Sequence, residues 1–173
     1  MDGAEGSTGS TGTTRDGERA SRLLAIYLRN HEAAAAGGAD LFRRMRSGQA
    51  RRPWGRELDG LADDVVEDLR SLRALMGGWR VSPDPWAGLS VRVGERVGRL
   101  KPNGHLVRRS PLSDLVEVEA GLDAVHAKAA GWQALRAART PAPAVDLDEL
   151  VRRADDQLAR LRRIHTRVAA TVL

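Results

Sequence analysis

Apolar residues recur along this chain at steps of three and four, the period of a helix that turns one face inward. The clearest seam runs Leu24, Leu28, His31, Ala35, Gly38, Phe42 and Met45. It predicts a first helix from about Asp16 to Arg46, with Asp16 as N-cap and Glu18 placing negative charge in the first turn. Gly37 and Gly38 follow Ala33–Ala36 inside that helix. Each glycine costs about 1 kcal/mol relative to alanine. A stretch with so little bulk suits a kink or the close approach of another backbone.

A second seam, Leu58, Leu61, Val65, Leu69, Leu72 and Met76, predicts a helix opened by Pro53 at its first position and closed by Gly77 and Gly78. A shorter, glycine-broken pattern (Trp86, Leu89, Val93, Val97, Leu100) predicts a helix over 85–100. Ser110-Pro111 then reads as N-cap and N1 of a helix reaching Ala137, with the seam Leu115, Val118, Leu122, Val125, Ala129 and Trp132. After the linker TPAPAV, Asp146 and Glu149 have the spacing of a capping box. They open a last helix with heptad positions Leu147, Leu150, Ala154, Leu158, Leu161, His165 and Val168.

The expected fold is therefore all-α: an up-down four-helix bundle over 17–138, a Pro-rich linker at 139–145, and an additional C-terminal helix over 146–173 packing on the bundle or on a second subunit. Residues 1–16 are Gly, Ser and Thr with almost no apolar side chains, and are expected to be disordered.

The chain has 173 residues, no cysteine and a net charge of +5. The missing thiols exclude disulfides, thiolate metal sites and cysteine nucleophiles, and fit a reducing cytoplasm. No run reaches the roughly 20 apolar residues of a membrane span, and the first residues lack the pattern of a signal peptide. A cytoplasmic protein is expected. Every base except Lys101 and Lys128 is arginine, the bias of a GC-rich genome, so the charge alone does not favour nucleic acid. Arg43, Arg44, Arg46, Arg51, Arg52 and Arg56 are followed by Glu57, Asp59, Asp63, Asp64, Glu67 and Asp68. This order complements the dipoles of two successive helices.

Candidate chemistry gathers in two places. Metal sites in helical bundles use carboxylates and Glu-x-x-His pairs on inward faces. Glu119, Asp123 and His126 lie at steps of four and three, His31 sits in the first seam, and Asp68 falls beside the second. These five form a candidate set for iron or manganese. The same residues also read as structural polar pairs, Glu119 or Asp123 with His126 and His31 with Asp68. The other place is the basic segment 96–113: Arg99, Lys101, Arg108 and Arg109 precede the open amides at Ser110, a candidate anion site. No Walker loop, GxGxxG, zinc-finger spacing or GxSxG context accompanies them. The tryptophans are too scattered for a stacking platform.

In its inward ligands and paired helices the chain resembles the ferritin-like superfamily. The stretch GRLKPNGHLVRRSPLSDLVEVEAGLDAVHAKAAGW is similar to actinobacterial proteins with such bundles. The resemblance implies a ferritin-like bundle over about residues 18–137. A di-iron member would carry two Glu-x-x-His pairs. This chain has one, Asp123-Ala-Val-His126, with aspartate in place of glutamate. Three functions stand side by side: a non-catalytic interaction or structural protein that self-associates or binds a protein partner, a ferritin-like metal protein or oxidase with a reduced site, and an anion or nucleic-acid binder through Arg96–Arg109.

Overall fold

The computed structural model describes residues 10–83, 110–142 and 144–173, and the side chains from Arg15 onward within them. These residues form four helices and no strand: α1 (Ser10–Gly48), α2 (Gly55–Gly78), α3 (Pro111–Ala137) and α4 (Leu147–Val172). The helix expected over 85–100 lies outside the described residues.

Polar and close contacts fix how the helices run. Arg46 near the end of α1 meets Asp59 and Asp63 near the start of α2, while Glu32 meets Arg73. The α1–α2 pair is therefore antiparallel. Gly131 lies against His31, Gly38 against Ala124, and Gly121 against Phe42 and Met45, so α1 and α3 are also antiparallel. Arg136–Asp148 and His165–Glu119 reverse α4 on α3. Glu57–Arg167, Asp64–Arg160 and Asp68–Arg153 form an antiparallel ladder between α2 and α4. Two hairpins, α1–α2 and α3–α4, thus close a four-sided bundle in which α1 and α4 run one way and α2 and α3 the other. The C-terminal helix forms one wall of this bundle, packed on α3 and α2 of its own chain.

The core lies where the seams meet. Leu28, Phe42, Met45, Leu58, Leu61, Val118, Leu161 and Ile164 are buried. Burying such a side chain is worth about 1.5–3 kcal/mol, which exceeds what helix propensity supplies.

Local caps follow the sequence closely in the second hairpin. Ser110 accepts from the Ser113 amide with Pro111 at N1, and Asp146 accepts from the amides of Asp148 and Glu149 at 2.9 and 3.1 Å. The first hairpin departs from expectation at three points. α1 begins at Ser10, so Asp16 is no cap; a nucleated helix extends through polar residues at one hydrogen bond per residue, with no need of burial. Pro53 sits in the turn and Trp54 caps α2 instead. Gly55 opens the helix because a Cβ there would lie 2.5 Å from the Ala50 carbonyl oxygen. Beyond α2, the left-handed residue is Arg80 (φ 54°) rather than a glycine, and the Val81 amide closes back on the Met76 carbonyl at 2.9 Å.

The 49–54 turn is tied to the start of α3. Gln49 is fully buried, accepts from Trp54 Nε1 at 2.6 Å and donates to Glu117 Oε2 at 3.0 Å. Arg52 Nε donates to the buried Asp114 at 2.7 Å. This clamp joins the two hairpins at one end of the bundle.

Candidate functional site

A polar centre lies between α2, α3 and α4. Asp68, on the inward face of α2, is only 2% exposed. Its Oδ1 takes Arg153 Nε at 2.7 Å, and its Oδ2 takes Gln157 Nε2 at 2.9 Å and the Lys128 ammonium. Lys128 also donates to Gln157 Oε1. Each partner arrives by helix geometry: Arg153 and Gln157 are one turn apart on α4, and Lys128 comes from α3. Burial pulls the Lys128 ammonium below its ordinary range, partly offset by the charge of Asp68. The cluster sets one buried carboxylate between two cations, and the charge of Asp64 on the same face of α2 also reaches Lys128.

Beside this centre is a cavity of about 240 Å³ between α1, α2 and α3. Asp68 and Lys128 contribute to one wall and His31 and Trp132 to others, while Ala35 and Gly38 are among the small residues that leave the room. His31 is half-buried, with its ring centroid 4.4 Å from that of Tyr27, and desolvation lowers its pKa from 6.5. Most of the lining is apolar, and Arg44 and Asp123 are its exposed charged members.

The five candidate metal ligands do not converge. His31, Asp68 and Asp123 line the cavity, whereas Glu119 and His126 face α4. His126 Nδ1 donates to the Leu122 carbonyl at 2.9 Å, and its Nε2 lies 3.3 Å from Arg162. A carbonyl only accepts, so the proton is on Nδ1 and the Nε2 lone pair faces Arg162. Neither nitrogen is left for a metal. Glu119 accepts from His165 Nε2 at 3.2 Å rather than from His126. Asp68 has three donors on its two oxygens and does not pair with His31. Among the described residues, no three His, Asp or Glu side chains could hold a metal ion. A 4,3 stripe spans an arc: Asp123 stands about 60° around the helix from His126, enough to turn toward a different neighbour.

Of the candidate anion site, Arg99, Lys101, Arg108 and Arg109 lie outside the described residues. Ser110 is engaged as the cap of α3.

Sequence reasoning missed Lys128, Arg153 and Gln157. A signal was present. Arg153, Gln157, Arg160, Ile164 and Arg167 repeat at 4,3,4,3 beside the apolar heptad of α4, a second stripe with bases to match the acids of α2. All of those acids but Glu67, which pairs with Arg70 on its own helix, make cross-helix pairs, with Arg46 held charged by Asp63 and Asp59, and so are more than dipole complements. No helix among the described residues is long and apolar enough to cross a membrane. No family model, curated protein or solved structure matches this chain.

Proposed function

We propose that this protein is a non-catalytic helical bundle, ferritin-like in connectivity, that works by association with a second copy of itself. Two antiparallel hairpins joined by one long connection are the arrangement of ferritin-like folds. Its ordinary metal chemistry finds little support, since Asp68, Glu119 and His126 are engaged with other groups and His31 stands apart from them. The observation that carries the reading is the overhang of α1. It has 39 residues against 24, 27 and 26 in the other helices. Residues 15–23 are all exposed, and Leu23 and Ile26 remain 58% and 46% exposed on that overhang. Arg15, Arg19 and Arg22 alternate there with Asp16 and Glu18. That mixture is self-complementary when two such helices pair in opposite directions. The heptad of α4 is mostly buried within the chain, with Leu147 and His165 half-buried, which leaves α1 as the face for a second copy.

Light scattering across micromolar concentrations tests this. The expected mass rises above the 18.8 kDa of one chain, and the double variant Leu23→Glu, Ile26→Glu returns it to that value. A wild type at 18.8 kDa throughout the range overturns the self-association. Elemental analysis of tag-free protein from cells grown with iron, manganese and zinc tests the other half. No stoichiometric metal is expected, and metal that disappears in His126→Ala would restore the metal reading.

A further inference from the structure

A packed interior seldom keeps a void larger than a water molecule, and an empty void costs stability in proportion to its volume. The cavity between α1, α2 and α3 measures about 240 Å³. It is there because α1 brings Ala35 and Gly38 to seam positions that elsewhere carry bulk. A Cβ built on Gly38 would meet nothing nearer than Ala124 Cβ at 3.8 Å, so the two helices do not close on it. Among the described residues, the exposed members of the lining are Ala34 and Arg44 of α1 and Asp123 and Ala127 of α3. The hollow therefore opens between those two helices, past two small side chains.

What fills a void depends on its walls. Ordered water stays where two to four polar groups hold it. Here the buried charges of the wall are matched within the protein: Asp68 takes Arg153, Gln157 and Lys128, and Lys128 also donates to Gln157. The Trp132 indole nitrogen is sealed from water, so that residue presents no donor to the hollow. His31 packs its ring against Tyr27 and Gly131, and desolvation keeps it uncharged at pH 7.5. The buried remainder of the lining, Phe42, Leu69, Leu72 and Leu135 among it, is hydrocarbon.

We propose that this cavity binds a small neutral apolar molecule, a hydrocarbon or simple aromatic, that enters between α1 and α3 and packs on Phe42, Leu69 and Leu72. Size sets the upper limit. An apolar cavity of ~150 Å³ takes benzene, so 240 Å³ scales to roughly ten non-hydrogen atoms. Polarity sets the class. A carboxylate or ammonium brought into that lining would lose its water and find the buried charges already paired. The site is independent of the α1 overhang and of self-association, so either reading can fail without the other.

Isothermal titration of the full chain at pH 7.5 with p-xylene, and with p-toluate as its charged counterpart, tests the assignment. Saturable one-to-one binding of p-xylene is expected, with p-toluate weaker by about tenfold or more. Gly38→Leu fills the hollow and removes binding, with a thermal melt showing that the variant is folded. In the wild type, the methyl protons of bound p-xylene give nuclear Overhauser contacts to Phe42 and Leu69, which locates the ligand even if Gly38→Leu does not fold. No saturation up to the solubility of p-xylene would mean that water or the protein's own chain occupies the hollow, and overturns the proposal. So does p-toluate binding as tightly as p-xylene, or undiminished binding in folded Gly38→Leu. Contacts to Leu23 and Ile26 on the overhang, in place of Phe42 and Leu69, overturn it as well.

Discussion

α1 and α4 carry the same seam spacing and meet their neighbours differently. In α4 the seam positions Leu150, Ala154, Leu158, Leu161 and Val168 are buried, and Leu147 and His165 are half-buried. In α1 the middle of the seam is His31, Ala35 and Gly38, none of them fully buried, and the cavity opens there. Only toward its end does α1 fill the interior again, with Phe42 and Met45. Period decides which face turns inward; side-chain volume decides whether that face is filled. The two regions share a wall, since Asp68 and Lys128 belong both to the polar centre packed by α4 and to the cavity beside α1.

The comparison breaks hardest at that shared wall. Asp68→Ala leaves Lys128 and Arg153 near one another without their carboxylate, and should lower stability by about 3–5 kcal/mol in urea unfolding. A loss under 1 kcal/mol would mean the cations relax into solvent and the centre does not hold α2 to α4. Next come truncations on the two seams. Leu161→Ala should cost about 3 kcal/mol, and Ala35→Gly only the roughly 1 kcal/mol of helix propensity. Equal losses at the two positions would erase the distinction between a filled and an open seam.

Alanine at two glycines sharpens the same point. Gly38→Ala adds a Cβ with room around it and should raise stability by about 1 kcal/mol. Gly131→Ala places its Cβ 3.0 Å from the His31 ring, which would have to shift, and should lower stability by about 1–2 kcal/mol. Thermal melts of the pair give the two signs side by side.

The smallest effect is the titration of His31. Burial lowers its folded-state pKa below 6.5, so as pH falls through 6.5 the unfolded chain takes up a proton that the folded chain resists. Its contribution to stability is whole above that pH and declines below it. Urea midpoints at pH 7.5 and 5.5 should therefore drop more in the wild type than in His31→Gln. Parallel drops would remove His31 from the account.

Much of the second hairpin could be read from its residues. Ser110-Pro111 and Asp146 start α3 and α4 as expected because a cap is a bond between residues two or three apart. The first hairpin was less legible. Pro53 has the chemistry of a helix start, but the buried Gln49–Trp54 bond and the close approach of Gly55 to Ala50 hold the turn one step longer. The candidate site was less legible still. His31 and Asp68 reach one cavity, yet Glu119 and His126 turn to His165 and Arg162 on a helix whose placement no local pattern declares.

The sequence by itself determined the helical class, the inward face of each described helix and the caps of the second hairpin, because period and capping are properties of one short segment. Tertiary structure decided the rest. It paired Asp68 with a lysine 60 residues away and a glutamine 89 residues away, sent Glu57 and Asp64 of α2 to bases of α4 but Asp59 and Asp63 to Arg46 of α1, and left a hollow where α1 offers too little volume. Those outcomes depend on which faces meet, and only the packed bundle brings them together.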